Sequence, residues 1–155
     1  MKNPNKVKQG KKNKAAGRAF ELKVRKDLEA KGLIMAKWTN NVEFNPSGKL
    51  VPAKHKFNFF TKVMALGTGF PDFIGYQMVA PNFKGEIVMS NRIKKFEIPI
   101  YNVLGVEAKS NGYLDKAEKE KCKWLIDNHI FANILIASKG LKRGTIEYKY
   151  FKNEQ

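Results

Sequence analysis

Apolar positions recur along this chain with two periods, and each change of period marks an element. Phe20, Val24 and Leu28 lie four apart, which predicts a helix over residues 15–31 with Gly32 as its stop. Residues 33–38 then read as a strand. Between 41 and 62, Val42 and Phe44 alternate with polar neighbours, Asn45-Pro46-Ser47-Gly48 signals a turn, and Phe57, Phe59 and Phe60 supply an aromatic return leg. This pattern predicts a β-arm decorated by Lys49, Lys54, His55 and Lys56. The turn Gly67-Thr68-Gly69-Phe70-Pro71-Asp72 leads into the apolar run Phe73-Ile74-Gly75-Tyr76, and residues 81–95 form a polar, basic excursion with room for a hairpin.

The second half of the chain repeats the alternation of elements. Residues 98–108 read as a strand whose inner part, Val103, Leu104 and Val106, is buried. Residues 114–129 form a second helix, and 131–137 are apolar but for Asn133, as in a strand at the centre of a sheet. A last strand over 144–152 alternates through Ile146, Tyr148 and Tyr150. The order predicts an α/β fold: a mixed β-sheet with a helix on each face, the second helix forming a crossover between two parallel strands. No internal repeat and no long linker divides the chain, so residues 15–155 are expected to be one domain.

Charge changes this picture. The chain has 155 residues, 30 Lys+Arg against 14 Asp+Glu, and a formal charge of +16, so its natural partner is a polyanion. Residues 1–14 are lysine-rich and without an acid, and they read as a flexible basic arm. No apolar run approaches the ~20 residues of a membrane span, and the basic N-terminus lacks the apolar core of a signal peptide. Cys122 is the single cysteine, which excludes a disulfide framework and a cysteine-built zinc site. These features place the expected protein in the cytoplasm, intracellular and soluble.

The candidate chemistry lies at the strand ends. Asp72 follows Pro71 at the start of one apolar run, and Glu107-Ala108-Lys109 closes another. Residues two apart on a strand share a face, so Glu107 and Lys109 point the same way. Carboxylates hold a hard divalent cation, and an ammonium beside them orients a water. A simpler reading makes Lys109 the partner of a structural ion pair with Glu107 or Asp72. Glu21 shares the stripe of Val24 and Leu28 and is either a third site acid or a solvated residue at its edge. On the second helix, Lys121 lines up with Ala117, Trp124 and Leu125, where it either snorkels past Trp124 or reaches a phosphate. Glu118, Glu120, Lys116, Lys119 and Lys123 read as a solvated face.

The segments Gly69-Phe70-Pro71-Asp72-Phe73-Ile74, then Gly105-Val106-Glu107-Ala108-Lys109-Ser110, then the helix from Leu114 to Trp124 resemble the PD-(D/E)xK nuclease superfamily over roughly residues 15–137. They look most like VRR-NUC modules and archaeal-type Holliday-junction resolvases. The resemblance implies a restriction-endonuclease-like α/β/α core and a Mg²⁺-dependent endonuclease of DNA recombination or repair, with Mn²⁺ able to substitute. It implies that Asp72, Glu107 and the Ala108 carbonyl ligate the metal, that Glu21 holds it directly or through water, and that Lys109 positions the attacking water. Homodimers are common in the resolvase branch. Two departures stand out: Lys121 occupies the place where VRR-NUC modules usually carry glutamine, and the stretch between Asp72 and Glu107 is longer than in minimal resolvases.

On this reading branched DNA would contact Lys11, Lys12, Lys14, Arg18, Lys49, Lys54, Lys56 and Ser110, with residues 1–14 along the backbone. The alternative is a non-catalytic basic nucleic-acid-binding protein, which the charge alone explains. A ribosomal or chromatin-type structural protein fits less well with 12% aromatic residues and a patterned core.

Overall fold

The computed structural model describes residues 4–54, 56–58, 62–65, 69–90 and 92–152. It contains α1 (Pro4–Ala30), β1 (Ile34–Lys37), β2 (Asn40–Glu43), β3 (Lys49–Pro52), β4 (Lys56–Asn58), β5 (Val63–Ala65), β6 (Phe73–Met89), β7 (Arg92–Ala108), α2 (Lys116–Asp127), β8 (Asn133–Lys139) and β9 (Ile146–Tyr150). The architecture is mixed α/β. Five strands form one sheet in the order β1-β6-β7-β8-β9, antiparallel except for the parallel β7–β8 pair. That parallel pair is joined through α2, as the crossover reading expected.

Period-2 alternation sorts the sheet into two faces. Phe73, Val106, Leu135 and Ala137 pack with Phe20, Val24 and Leu28 of α1. Their strand neighbours Ile74, Ile134 and Ile136 pack with Cys122 and Leu125 of α2, together with Phe131. Each helix therefore covers one face, and strands buried on both sides read as continuous apolar runs. Beside the core, the Tyr148 hydroxyl donates to Asp27 Oδ2 at 2.6 Å, tying the edge strand β9 to α1.

Four expectations need correction. The strand expected over 131–137 begins at Asn133 and is not the centre of the sheet; β7 is. Phe131 is instead a buried loop residue, edge-on to Trp38 at 5.1 Å. The return leg of the β-arm is Lys49–Pro52, not the aromatic run: β2 pairs with β3, while Phe57 lies on β4 in a separate hairpin with β5. Phe59 and Phe60, with His55, fall outside the described residues. The β2–β3 hairpin is docked rather than free, because Val42 is buried in the α2 cluster and Gly48 lies so close to Trp124 that a Cβ would meet its ring. Finally, residues 4–14, expected as an arm, form the first turns of the 27-residue helix α1.

The excursion over 81–95 belongs to one long antiparallel ribbon, in which Phe73 faces Val106 at the base and Met89 faces Arg92 at the tip. Two register shifts between Met78 and Phe83 insert extra residues in β6. Beyond them, Phe83, Gly85, Ile87 and Met89 share one face with Ile98 and Phe96, and Lys84–Glu97 and Lys95–Glu86 ion pairs occupy the other. Phe96 lies across Gly85, where a Cβ would sit 2.4 Å from its ring.

Candidate active site at the end of the sheet

The base of the ribbon sets the site. Because Phe73 pairs with Val106, the next residues outward are Asp72 and Glu107, brought side by side from 35 positions apart. Pro71 enters through a cis peptide and packs near Gly105, where a Cβ would lie 2.9 Å from its ring. Gly69 passes equally close to the backbone: a Cβ there would sit 2.5 Å from the carbonyl oxygens of Trp38 and Asn40. Small residues at these two points let the turn before Asp72 close onto the sheet.

The two carboxylates are held reciprocally. The Asp72 amide donates to Glu107 Oε2 at 3.1 Å, and the Ala108 amide donates to Asp72 Oδ2 at 3.0 Å. Glu107 is 5% exposed, the one charged side chain among the buried described residues. A lysine flanks each acid. Lys109 Nζ lies 3.4 Å from Glu107 Oε1 and also bonds Glu118 Oε1. Lys37 Nζ lies 3.6 Å from Asp72 Oδ1 and 2.9 Å from Glu21 Oε2. The line of charges runs Glu21, Lys37, Asp72, Glu107, Lys109, Glu118, from α1 across the sheet end to α2.

Burial and like charge shape the titration of this line. Glu107 is pushed up to about 8, first by desolvation and then by the Asp72 charge, with Lys109 opposing. Asp72 is also raised, by burial foremost and by Glu21, against the Ala108 amide and Lys37. Lys109 is raised despite burial, because Glu118 and Glu107 favour its charged form. Cys122, fully buried beneath the site, is pushed up to about 12 by desolvation and by the charges of Glu107 and Glu118. It therefore stays a thiol and supplies no nucleophile.

The sequence-based candidates separate in the fold. Glu21, Asp72, Glu107 and Lys109 come together, with the Ala108 backbone among them. Lys121 is half-buried with its ammonium 5.5 Å from the Phe70 ring centroid, over the turn that precedes Asp72. Ser110 is exposed just past Lys109. Lys11, Lys12, Lys14 and Arg18 are exposed on α1, Lys54 is exposed after β3, and the exposed Lys49 is paired with Glu43 at 3.5 Å. Lys56 lies on β4; its side chain is outside the described residues.

Two site residues escaped the sequence reading. Lys37 ends β1 and looks like any solvated strand-end lysine. Glu118, expected on the wet face of α2, closes a capping box: Asp115 Oδ1 accepts from its amide at 2.8 Å, and its Oε2 accepts from the Asp115 amide at 3.0 Å. The Asp-x-x-Glu spacing before an apolar stripe was the available signal.

Among the described residues, no three His, Cys, Asp or Glu side chains form a ready-made metal cage. Mg²⁺ does not require one, since it is commonly held by one or two carboxylates with the rest supplied by water and phosphate. The Asp72–Glu107 pair fits that donor set: a buried and a half-buried carboxylate that repel each other gain most from a cation between them. Compared with protein-family models, curated proteins and solved structures, the chain gives no match.

Proposed function

We propose that this chain is a metal-dependent DNA endonuclease with the restriction-endonuclease-like core that its motif order resembles. The observation that carries the reading is the convergence of two acids and a lysine: the Asp72 amide donates to Glu107, the Ala108 amide donates to the Asp72 carboxylate, and Lys109 lies 3.4 Å from Glu107. Asp72 and Glu107 would hold Mg²⁺, with Glu21 linked to Asp72 through Lys37. When bound, the cation supplies Lewis-acid charge to a phosphate and makes a water more acidic. Lys109 places a positive charge beside that water and is itself aimed by Glu118. Lys121 contributes charge over Phe70, on the approach to Asp72. Branched DNA and a homodimer follow from the resolvase resemblance, since two sites related by a two-fold axis can cut two strands symmetrically.

A non-catalytic nucleic-acid binder remains a second reading for one specific reason. Lys37 and Lys109 already neutralise much of the acidic line, as structural ion pairs would. Cleavage of junction, flap and linear duplexes in Mg²⁺ separates the two. Wild type is expected to cut at least one substrate, and Asp72→Asn to lose at least about 100-fold in rate. Equal rates in both proteins would reject the nuclease.

A further inference from the structure

The N-terminal half of α1 does not belong to the core. Phe20, Val24 and Leu28 bury the C-terminal half, whereas every residue from Lys8 to Ala19 is exposed. The chain turns back after Gly32, so α1 and β1 run in opposite directions, and Glu21 meets Lys37 at the last residue of β1. Everything before Glu21 therefore continues past the end of the sheet that carries Asp72 and Glu107. From Glu21 to Lys8 that extension spans about 20 Å at 1.5 Å per residue. Its underside is open, because a Cβ at Gly10 or Gly17 would meet nothing within 4 Å.

Helical phase sorts the cations on this projection. Taking Glu21 as origin and ~100° per residue, Lys14 lies at about 20°, Arg18 at about 60° and Lys11 at about 80°. Lys8 lies on the far side at about 140° and Lys12 at about 180°. Arg25, also near the stripe, is already bonded to Glu29 Oε1 at 2.8 Å. One stripe of cations thus leads along the helix to Glu21 and stops where the sign of charge changes. A phosphodiester backbone fits that order: phosphates along the cations, a divalent cation at the acids.

We propose that Lys11, Lys14 and Arg18 form a rail that receives a phosphodiester strand by its backbone and delivers it to the Asp72–Glu107 end of the sheet. The destination rests on the nuclease reading; the rail itself does not. Recognition is independent of base sequence, because phosphate contacts position without specifying. The rail is one face of α1, so Lys8 and Lys12 do not belong to it despite their place in the same basic run.

The test is equilibrium binding in EDTA, where no cleavage occurs, to a short DNA duplex and to a single strand of the same sequence. Lys14→Gln/Arg18→Gln is compared with the charge-matched Lys8→Gln/Lys26→Gln, whose residues both lie near 140°. The rail variant is expected to bind about tenfold or more weakly, with the slope of log K against log salt reduced by about 2. The control is expected to keep both. Whichever of duplex or single strand shows the larger loss is the form the rail holds. Equal losses in both variants, or none in either, would overturn the rail. Binding that depends on helical phase without cleavage in Mg²⁺ would keep the rail and discard the nuclease. Cleavage with equal slopes would do the reverse.

Discussion

Glu107 concentrates the physics of this protein in one side chain. Its carboxyl is buried beside Asp72, and its affinity for a proton rises from 4.5 to about 8. A folded-state value above the unfolded one means that the folded protein binds the proton more tightly. The resulting stability is fully present below about 4.5 and is lost as pH rises through about 8. In EDTA, the melting temperature is therefore expected to fall between pH 5 and pH 8, by roughly 5 °C or more. Glu107→Gln should flatten that slope, which thermal unfolding at several pH values would show. A slope unchanged by the substitution would place the titration elsewhere. Lys109→Met should lower the cleavage rate by at least about 100-fold while leaving Mn²⁺ affinity within a few-fold, because it touches the acids from the outer side.

Among the elements, α2 ties its own N-terminal cap to the line of charges at the sheet end. Asp115 caps the helix and Glu118 returns the bond, while the other Glu118 oxygen holds Lys109. Asp115→Ala should destabilise the protein by about 1 kcal/mol, the ordinary worth of an N-cap, measurable by urea unfolding. Glu118→Gln should cost less stability but lower the cleavage rate, because it loosens the ammonium. Should both substitutions leave cleavage untouched, Glu118 would be only a cap. The turn before the site is sensitive for a different reason. Gly105→Ala would press a methyl against Pro71, Ile134 and Phe131 at 2.9–3.2 Å, and a loss of roughly 1–3 kcal/mol is expected. The ribbon of β6 and β7 was harder to read from sequence than these elements. Its apolar and charged residues alternate on faces that no described helix covers, and the β6 register shifts break the period, so only part of it resembles a strand.

For the molecule as a whole, the legible part was what local pattern determines. Motif order named Asp72, Glu107 and Lys109, and periodicity placed both helices. Register was not legible: nothing in the chain alone says that Phe73 faces Val106, and that pairing is what joins Asp72 to Glu107. Lys37 was missed for the same reason, because its meaning depends on β1 lying beside β6. The basic N-terminus misled in the other direction, since a stretch with no apolar face looks unstructured even where it continues a helix. No described helix is long and apolar enough to cross a membrane. Removing residues 1–14, with their six lysines, should weaken DNA binding and flatten its salt dependence more than it slows single-turnover cleavage. The most direct measurement is a Mn²⁺ titration of the full chain, followed by calorimetry or by the electron paramagnetic resonance of free Mn²⁺. Wild type is expected to bind the ion, and Asp72→Asn and Glu107→Gln each to weaken it by tenfold or more. Identical titration curves for the three proteins would show that these two acids share no cation.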